Sequence, residues 1–320
     1  MKNIFKVALT GGPCGGKTTS IERIKQEFTE KGFNVLVVPE AATLLINMSI
    51  RPFGNEALNP YDFQKLVFEV SEKLGSLLKA YICKIECKDG SHGTGFFCNI
   101  PYGWNTIKVL MTNNHVLKKV DILPNEIIKF SVNNDNKNYE IEIDESRKTY
   151  TNEEYDVTII EIKEKDKLDK NSFFDIDNGI FNENVIETYR KKQIYLLHYP
   201  KGIKMEYSNG IIQRITEDNY NIHHLCDSSG GSSGGPIINS MNFQVIGIHK
   251  GGAEGAKNYN VGTLLKEPIE KFNEESNKKE KKENNKEEYI KKNEGNKIKE
   301  YNENNEEKEE KKVNNEKKMN

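Results

Sequence analysis

Residues 231–236 read Gly231-Ser232-Ser233-Gly234-Gly235-Pro236, and the apolar pair Ile237-Ile238 follows at once. Small residues around Ser233 let the backbone turn tightly. The N–H groups of Gly231 and Ser233 can then converge on one point, where an oxyanion would form during acyl transfer. Gly234 and Gly235 allow substrate and chain to approach closely. Taken alone, the run from Ser228 to Gly235 also reads as a flexible Gly/Ser linker. Pro236 and the strand after it argue against a linker.

The pattern Gly231-x-Ser233-x-Gly235 fits two unrelated folds, and chain order separates them. A strand-to-helix nucleophile elbow of the α/β-hydrolase type needs serine first, then an acid, then histidine. After Ser233 the only histidine is His249, and no Asp or Glu lies between them. That fold cannot place its triad here. The partners must lie upstream. His115 follows the buried-strand pattern Val109-Leu110-Met111-Thr112, so it sits at a strand end, rigidly held yet exposed. Asp156 opens the apolar run Val157-Thr158-Ile159-Ile160 and is expected to be partly buried. There it would fix the imidazole tautomer and stabilise the imidazolium. Singly, these are a strand-end histidine and a turn aspartate. Together they give the order His, Asp, Ser at separations that suit a compact double barrel.

The surrounding grammar agrees. From about Tyr81, short β-rich runs follow one another between turn residues: YICKIEC, GTGFFCNI, IKVLMT, IIKFSV, YEIEI, VTIIEI, QIYLLHY, GIIQRI and NFQVIGIHK. This is an all-β pattern of the sandwich or barrel kind. Residues 80–272 therefore resemble the chymotrypsin-like (trypsin-like) serine peptidases, above all the compact disulfide-free kind of HtrA or glutamyl-endopeptidase type. The resemblance rests on Gly93-Thr94-Gly95-Phe96-Phe97, Thr112-Asn113-Asn114-His115-Val116, Tyr155-Asp156-Val157 and Gly231 through Pro236. The turn Tyr199-Pro200-Lys201-Gly202 and Gly210 also match. It implies cofactor-free endopeptidase activity on polypeptides through an acyl-enzyme, with Ser233, His115 and Asp156 as the triad.

Two positions bear on specificity in that resemblance. Asp227, six residues before Ser233 and followed by Ser228, stands where trypsin carries its pocket-floor aspartate, which implies cleavage after Lys or Arg. His249 matches the histidine that glutamyl endopeptidases use to receive an acidic side chain. Aspartates before the serine turn are often structural in the compact enzymes, so the acidic reading is favoured. Ser232 replaces the aspartate that pairs with a freed N-terminus in trypsin-type zymogens, so activation of that kind is not expected.

The chain opens differently. Residues 4–10 read as a buried strand, 17–31 as a helix and 34–39 as a second strand, the grammar of a parallel sheet. Between them Gly11-Gly12-Pro13-Cys14-Gly15-Gly16-Lys17-Thr18 fits G-x-x-x-x-G-K-[ST]. Backbone N–H groups would cradle phosphates, Lys17 would reach the terminal phosphates and Thr18 would hold Mg²⁺. Residues 1–78 resemble the front half of a P-loop ATPase domain of the AAA or NadR-like group, which implies ATP or GTP with Mg²⁺. No hydrophobic strand ending in Asp follows before residue 80, so hydrolysis is expected to be slow even if nucleotide binds. A regulatory remnant, a half-site completed by another chain and a fusion all fit.

Composition bounds the remainder. Net charge is −2, which points away from nucleic acid. No apolar run is long enough to span a bilayer. The five cysteines make no disulfide framework, and no export signal is legible, so reduced thiols in the cytoplasm are expected. Residues 273–320 are almost all Glu, Lys and Asn. They bury too little apolar surface to offset ordering entropy of about 1–2 kcal/mol per residue, so a disordered tail, or a transient solvated helix from Glu/Lys pairs, is expected. The reading is thus multidomain. A truncated α/β P-loop segment (1–79) precedes an all-β double barrel (80–272), and a disordered tail (273–320) follows.

Overall fold

The computed structural model describes residues 82–281, apart from 133–137, 170–172, 217–219 and 254–257, together with a few residues in the 23–31 stretch and Asp62. The P-loop expectations at Gly11, Gly16, Lys17 and Thr18 lie outside the described residues, as does the tail beyond residue 281.

Fourteen strands are described. The first eight are β1 (Ile82–Glu86), β2 (His92–Tyr102), β3 (Asn105–Thr112), β4 (Ile127–Val132), β5 (Asn138–Glu142), β6 (Thr149–Asn152), β7 (Val157–Glu161) and β8 (Phe174–Asp175). They form one sheet in the order β5-β4-β1-β2-β3-β7-β6, with β8 parallel to β2. Alternation sets the inward face: in β4, Ile128, Phe130 and Val132 are buried while Ile127 and Lys129 are exposed. Those three pack in one cluster with Cys83, Ile85, Phe97, Leu110, Ile141 and Ile160. These residues come from both ends of the strand order, so the sheet curls around a single core.

The other six strands are β9 (Gln193–His198), β10 (Glu206–Ile215), β11 (Asn221–His224), β12 (Pro236–Asn239), β13 (Val245–Gly252) and β14 (Asn260–Leu264). They close into a barrel, β10-β11-β14-β13-β12-β9. Closure leaves no edge strand. The architecture is therefore one closed barrel beside one curled half-barrel.

Polar clips supplement the cores. Arg147 is buried against Asp166 at 2.8 and 2.9 Å and also donates to the Glu161 carbonyl at 2.6 Å. The two halves are stitched by Thr94 N–H to the Ser233 carbonyl (2.8 Å) and by Thr263 Oγ1 to the Tyr155 carbonyl (2.5 Å).

Residues 266–281 are helical, with Pro268 in the first turn, where its missing N–H costs nothing. The boundary between two compact units falls after Ile269. The helix runs past residue 273, where the sequence pattern led us to expect disorder or a transient solvated helix. Its last stretch is rich in Lys and Glu, which favour helix intrinsically.

Candidate active site

The end of β3 delivers His115 into a turn, and Asp156 stands immediately before β7. β3 and β7 are paired, Thr112 against Thr158, so the two residues leave neighbouring strands at the same end. The Asp156 carboxylate accepts twice from His115, from its backbone N–H at 3.0 Å and from ring Nδ1 at 2.7 Å. A carboxylate can only accept, so Nδ1 carries the proton and Nε2 is left as the basic nitrogen. Asp156 holds the left-handed conformation, φ 52°, unusual for a residue other than glycine. Asn113 Nδ2 clamps its carbonyl at 2.7 Å. The aspartate is mostly buried and the histidine half exposed, as the sequence pattern implied.

Ser233 lies in the turn before β12 and is partly buried. Its hydroxyl donates to the Lys250 carbonyl at 2.9 Å. Among the described residues no hydrogen bond joins it to His115. The turn itself is fixed at many points. Ser232 N–H donates to the Ser229 carbonyl (3.0 Å), Gly235 N–H to the Ser232 carbonyl (3.1 Å) and Lys201 N–H to the Gly230 carbonyl (2.5 Å). A trans peptide points its C=O and N–H in opposite directions. The Gly230 and Ser232 carbonyls are each tied, so the N–H groups of Gly231 and Ser233 each point away from the carbonyl of their own peptide. Neither makes an internal hydrogen bond among the described residues.

Two glycines here have no substitute. Gly231 (φ 87°) and Gly234 (φ 89°) occupy backbone space closed to other residues. A Cβ on Gly234 would also fall on the Thr94 carbonyl oxygen and Thr112 Oγ1.

Thr94 was only part of a matching motif in the sequence. In the structure it is fully buried beside the turn. Its N–H holds the Ser233 carbonyl, its Oγ1 donates to the Gly231 carbonyl (2.7 Å) and accepts from Tyr199 N–H (3.0 Å), and its carbonyl accepts from Thr112 Oγ1 (2.7 Å).

The three specificity candidates are placed differently. Asp227 is exposed, with its backbone N–H on Ser208 Oγ at 2.6 Å, and Ser228 is half-buried. His249 is buried in β13 and bonds through Nδ1 to His224 Nε2 at 3.1 Å. His224 was not singled out by sequence. The Cys226 N–H donates to His224 Nδ1 at 3.3 Å. A backbone N–H can only donate, so neutral His224 carries its proton on Nε2 and passes a hydrogen bond to His249 Nδ1. The His249 proton is then on Nε2. Burial pushes the His224 pKa down to about 4, and burial with the neighbouring histidines pushes His249 well below its ordinary value. Both imidazoles are neutral at pH 7.

The site lies between a curled half-barrel and a closed barrel, with a His–Asp pair on the first and a serine in a glycine-bounded turn on the second. Residues 93–248 match the trypsin-like peptidase domain. The fold of this trypsin-like domain is chymotrypsin-like. Residues 6–76 match an AAA domain, which gives the N-terminal segment its P-loop likeness. Among solved structures, the serine endoprotease from Yersinia pestis is 15% identical, with a TM-score of 0.47, over 64% of this chain and 66% of that one. Rv3671c from M. tuberculosis H37Rv, in an inactive form, is 18% identical, with a TM-score of 0.43, over 60% and 84%. The HtrA-type protease AlgW with tripeptide is 16% identical, with a TM-score of 0.45, over 63% and 61%. The chain thus spans less than two thirds of the AlgW chain. No curated protein matches it.

The four described cysteines, Cys83, Cys87, Cys98 and Cys226, are free thiols. Among the described residues no His, Cys, Asp and Glu cluster could hold a metal, and no helix is long and apolar enough to cross a membrane.

Proposed function

We propose that the trypsin-like domain is a serine endopeptidase in which Ser233 is the nucleophile, His115 the base and Asp156 the orienting acid. The observation that carries this reading is the pair of hydrogen bonds from His115 to Asp156, which leaves Nε2 as the basic nitrogen at the end of β3. Ser233 Oγ attacks the scissile carbonyl carbon as its proton passes to His115 Nε2. The tetrahedral oxyanion is met by the N–H groups of Gly231 and Ser233. Collapse breaks the C–N bond, and the amine leaves with the proton from Nε2. Water then repeats the sequence against the acyl-enzyme. All of these steps use residues of the described β region; the phosphate loop enters none of them.

His249 is proposed to select the substrate side chain. A neutral imidazole with Nε2–H free to donate suits a carboxylate or amide oxygen, and an incoming carboxylate would favour its protonation. Asp227 is exposed, which weakens the reading that it forms a pocket floor for Lys or Arg. The test is steady-state hydrolysis of matched peptides carrying Glu, Gln, Lys or Arg before the scissile bond. Glu is expected to give the highest kcat/KM, with loss of the preference in His249→Leu. Preference for Lys or Arg would reverse the assignment in favour of Asp227. No hydrolysis of any peptide or unfolded protein by the folded chain would overturn the peptidase reading.

A further inference from the structure

His198 ends β9 and is buried, yet it belongs to neither the triad nor the specificity residues. Its Nδ1 lies 2.6 Å from Ser232 Oγ. Ser232 is wholly buried, and its Oγ also accepts from the Ser229 N–H at 3.0 Å. The hydroxyl proton needs an acceptor in a site closed to water. Among the described residues that acceptor is His198 Nδ1. The bond therefore runs from Ser232 O–H to His198 Nδ1, and His198 carries its own proton on Nε2.

This contact reaches the reacting atoms through the backbone. Ser232 is the residue between Gly231 and Ser233, the two proposed oxyanion donors. The Ser233 N–H belongs to the peptide that leaves Ser232, so rotation of Ser232 would turn that donor. Three residues after His198, Lys201 N–H holds the Gly230 carbonyl of the same turn. The segment from His198 to Lys201 thus grips the turn at two points, one by side chain and one by backbone. Thr94 grips it from the other half through the Gly231 and Ser233 carbonyls.

We propose that His198 is a positioning residue, which locks Ser232 and so aims the Ser233 N–H group at the scissile carbonyl oxygen. An aspartate at position 232 would need a cationic partner; a serine needs only a neutral acceptor. Burial is the larger influence on His198, with Asp227 opposing it, and pushes its pKa down to about 4. The ring therefore stays a neutral acceptor across the working range.

The inference rests on the peptidase reading and is tested on the full chain with peptide hydrolysis and a peptide aldehyde inhibitor. Removing one oxyanion donor typically costs about 10²–10³ in kcat. Misaiming one donor without removing it predicts a smaller kcat loss, roughly 10–100-fold, in His198→Phe, with KM changed less than about threefold. Aldehyde affinity should fall in parallel, because its adduct places an oxyanion in the same spot. His198→Asn keeps an acceptor near the Nδ1 position and should recover most of kcat. Ser232→Ala should match His198→Phe, and the double variant should lose little more. If His198→Phe fails to fold, Ser232→Ala and His198→Asn carry the test. An active wild type whose Ser232→Ala and His198 variants keep kcat within about twofold, a change in Tm alone, overturns the inference and leaves the peptidase reading standing. An inactive wild type overturns the reading itself.

Discussion

The Ser233 hydroxyl donates to the Lys250 carbonyl at 2.9 Å, while His115 turns its ring to Asp156 at 2.7 Å. The proposed nucleophile and base are thus each hydrogen-bonded, but among the described residues not to each other. Lys250 falls at the register shift in β13, between the pairs His249↔Gly262 and Gly251↔Val261. Catalytic hydrogen bonds often tighten only when substrate is bound. An extended peptide laid beside Lys250 would bring an N–H to that carbonyl and displace the serine toward His115. A crystal structure of a peptide aldehyde adduct is the check. We expect Ser233 Oγ bonded to the aldehyde carbon, its oxygen within hydrogen-bonding distance of Gly231 and Ser233 N–H, and the inhibitor N–H on the Lys250 carbonyl. A bound peptide with Ser233 still on Lys250 would contradict this.

Asp156→Asn isolates the orienting role. The two His115 N–H groups use separate carboxylate oxygens, and in the amide one of these becomes an NH₂ donor that cannot accept. Asparagine tolerates the left-handed backbone that Asp156 already occupies. A kcat loss of about 10⁴ is expected from the wrong imidazole tautomer, with only a small change in Tm. Unchanged kcat would remove Asp156 from the mechanism.

Gly234→Ala tests whether the serine turn is fixed by its glycine. The Cβ would meet the Thr94 carbonyl and Thr112 Oγ1, at a φ of 89°. Backbone strain alone costs about 1–3 kcal/mol, and relief must move Thr94. Urea unfolding should show a loss at least that large, with activity lost alongside. A loss under about 0.5 kcal/mol, typical of a surface change, would mean that the turn is pliant.

The candidate residues could be picked out in the sequence because each residue of the proposed triad adjoins a strongly apolar strand. Val109-Leu110-Met111 and Val157-Thr158-Ile159-Ile160 announced β3 and β7, and chain order then assigned His115, Asp156 and Ser233 together. The supporting residues were not legible. Thr94, His198 and His224 act across large sequence separations, and nothing local marks a threonine or histidine as the far end of such a bond. Four strands also escaped. β6 and β8 are short, and β14 carries a glycine. β11 is half polar, although the burial of Ile222 and His224 against half-exposed Asn221 and His223 is the alternation a strand requires. The helix beyond residue 273 reads from sequence only as a transient one, because its composition resembles that of a solvated tail.

The buried histidines set a pH window for stability. His198 and His224 are pushed down to about 4 from 6.5, and His249 is also lowered, each chiefly by burial. Each folded-state pKa lies below the unfolded one. Between them the unfolded chain binds more protons, so stability rises with pH. It is fully present above about pH 6.5 and is lost as pH falls toward 4, by a few kcal/mol in all. Tm measured from pH 7 to 4 should fall, and His224→Gln should flatten the slope. A Tm independent of pH over this range would mean that the histidines are not buried as described.

The central claim is that Ser233 is an activated nucleophile, and covalent labelling reads this most directly. The folded full-length chain is incubated with a fluorophosphonate probe and the adduct is mapped by mass spectrometry. We predict a single adduct on Ser233, lost in Ser233→Ala and strongly slowed in Asp156→Asn. No adduct on the folded protein, or labelling that survives Ser233→Ala, would contradict the account.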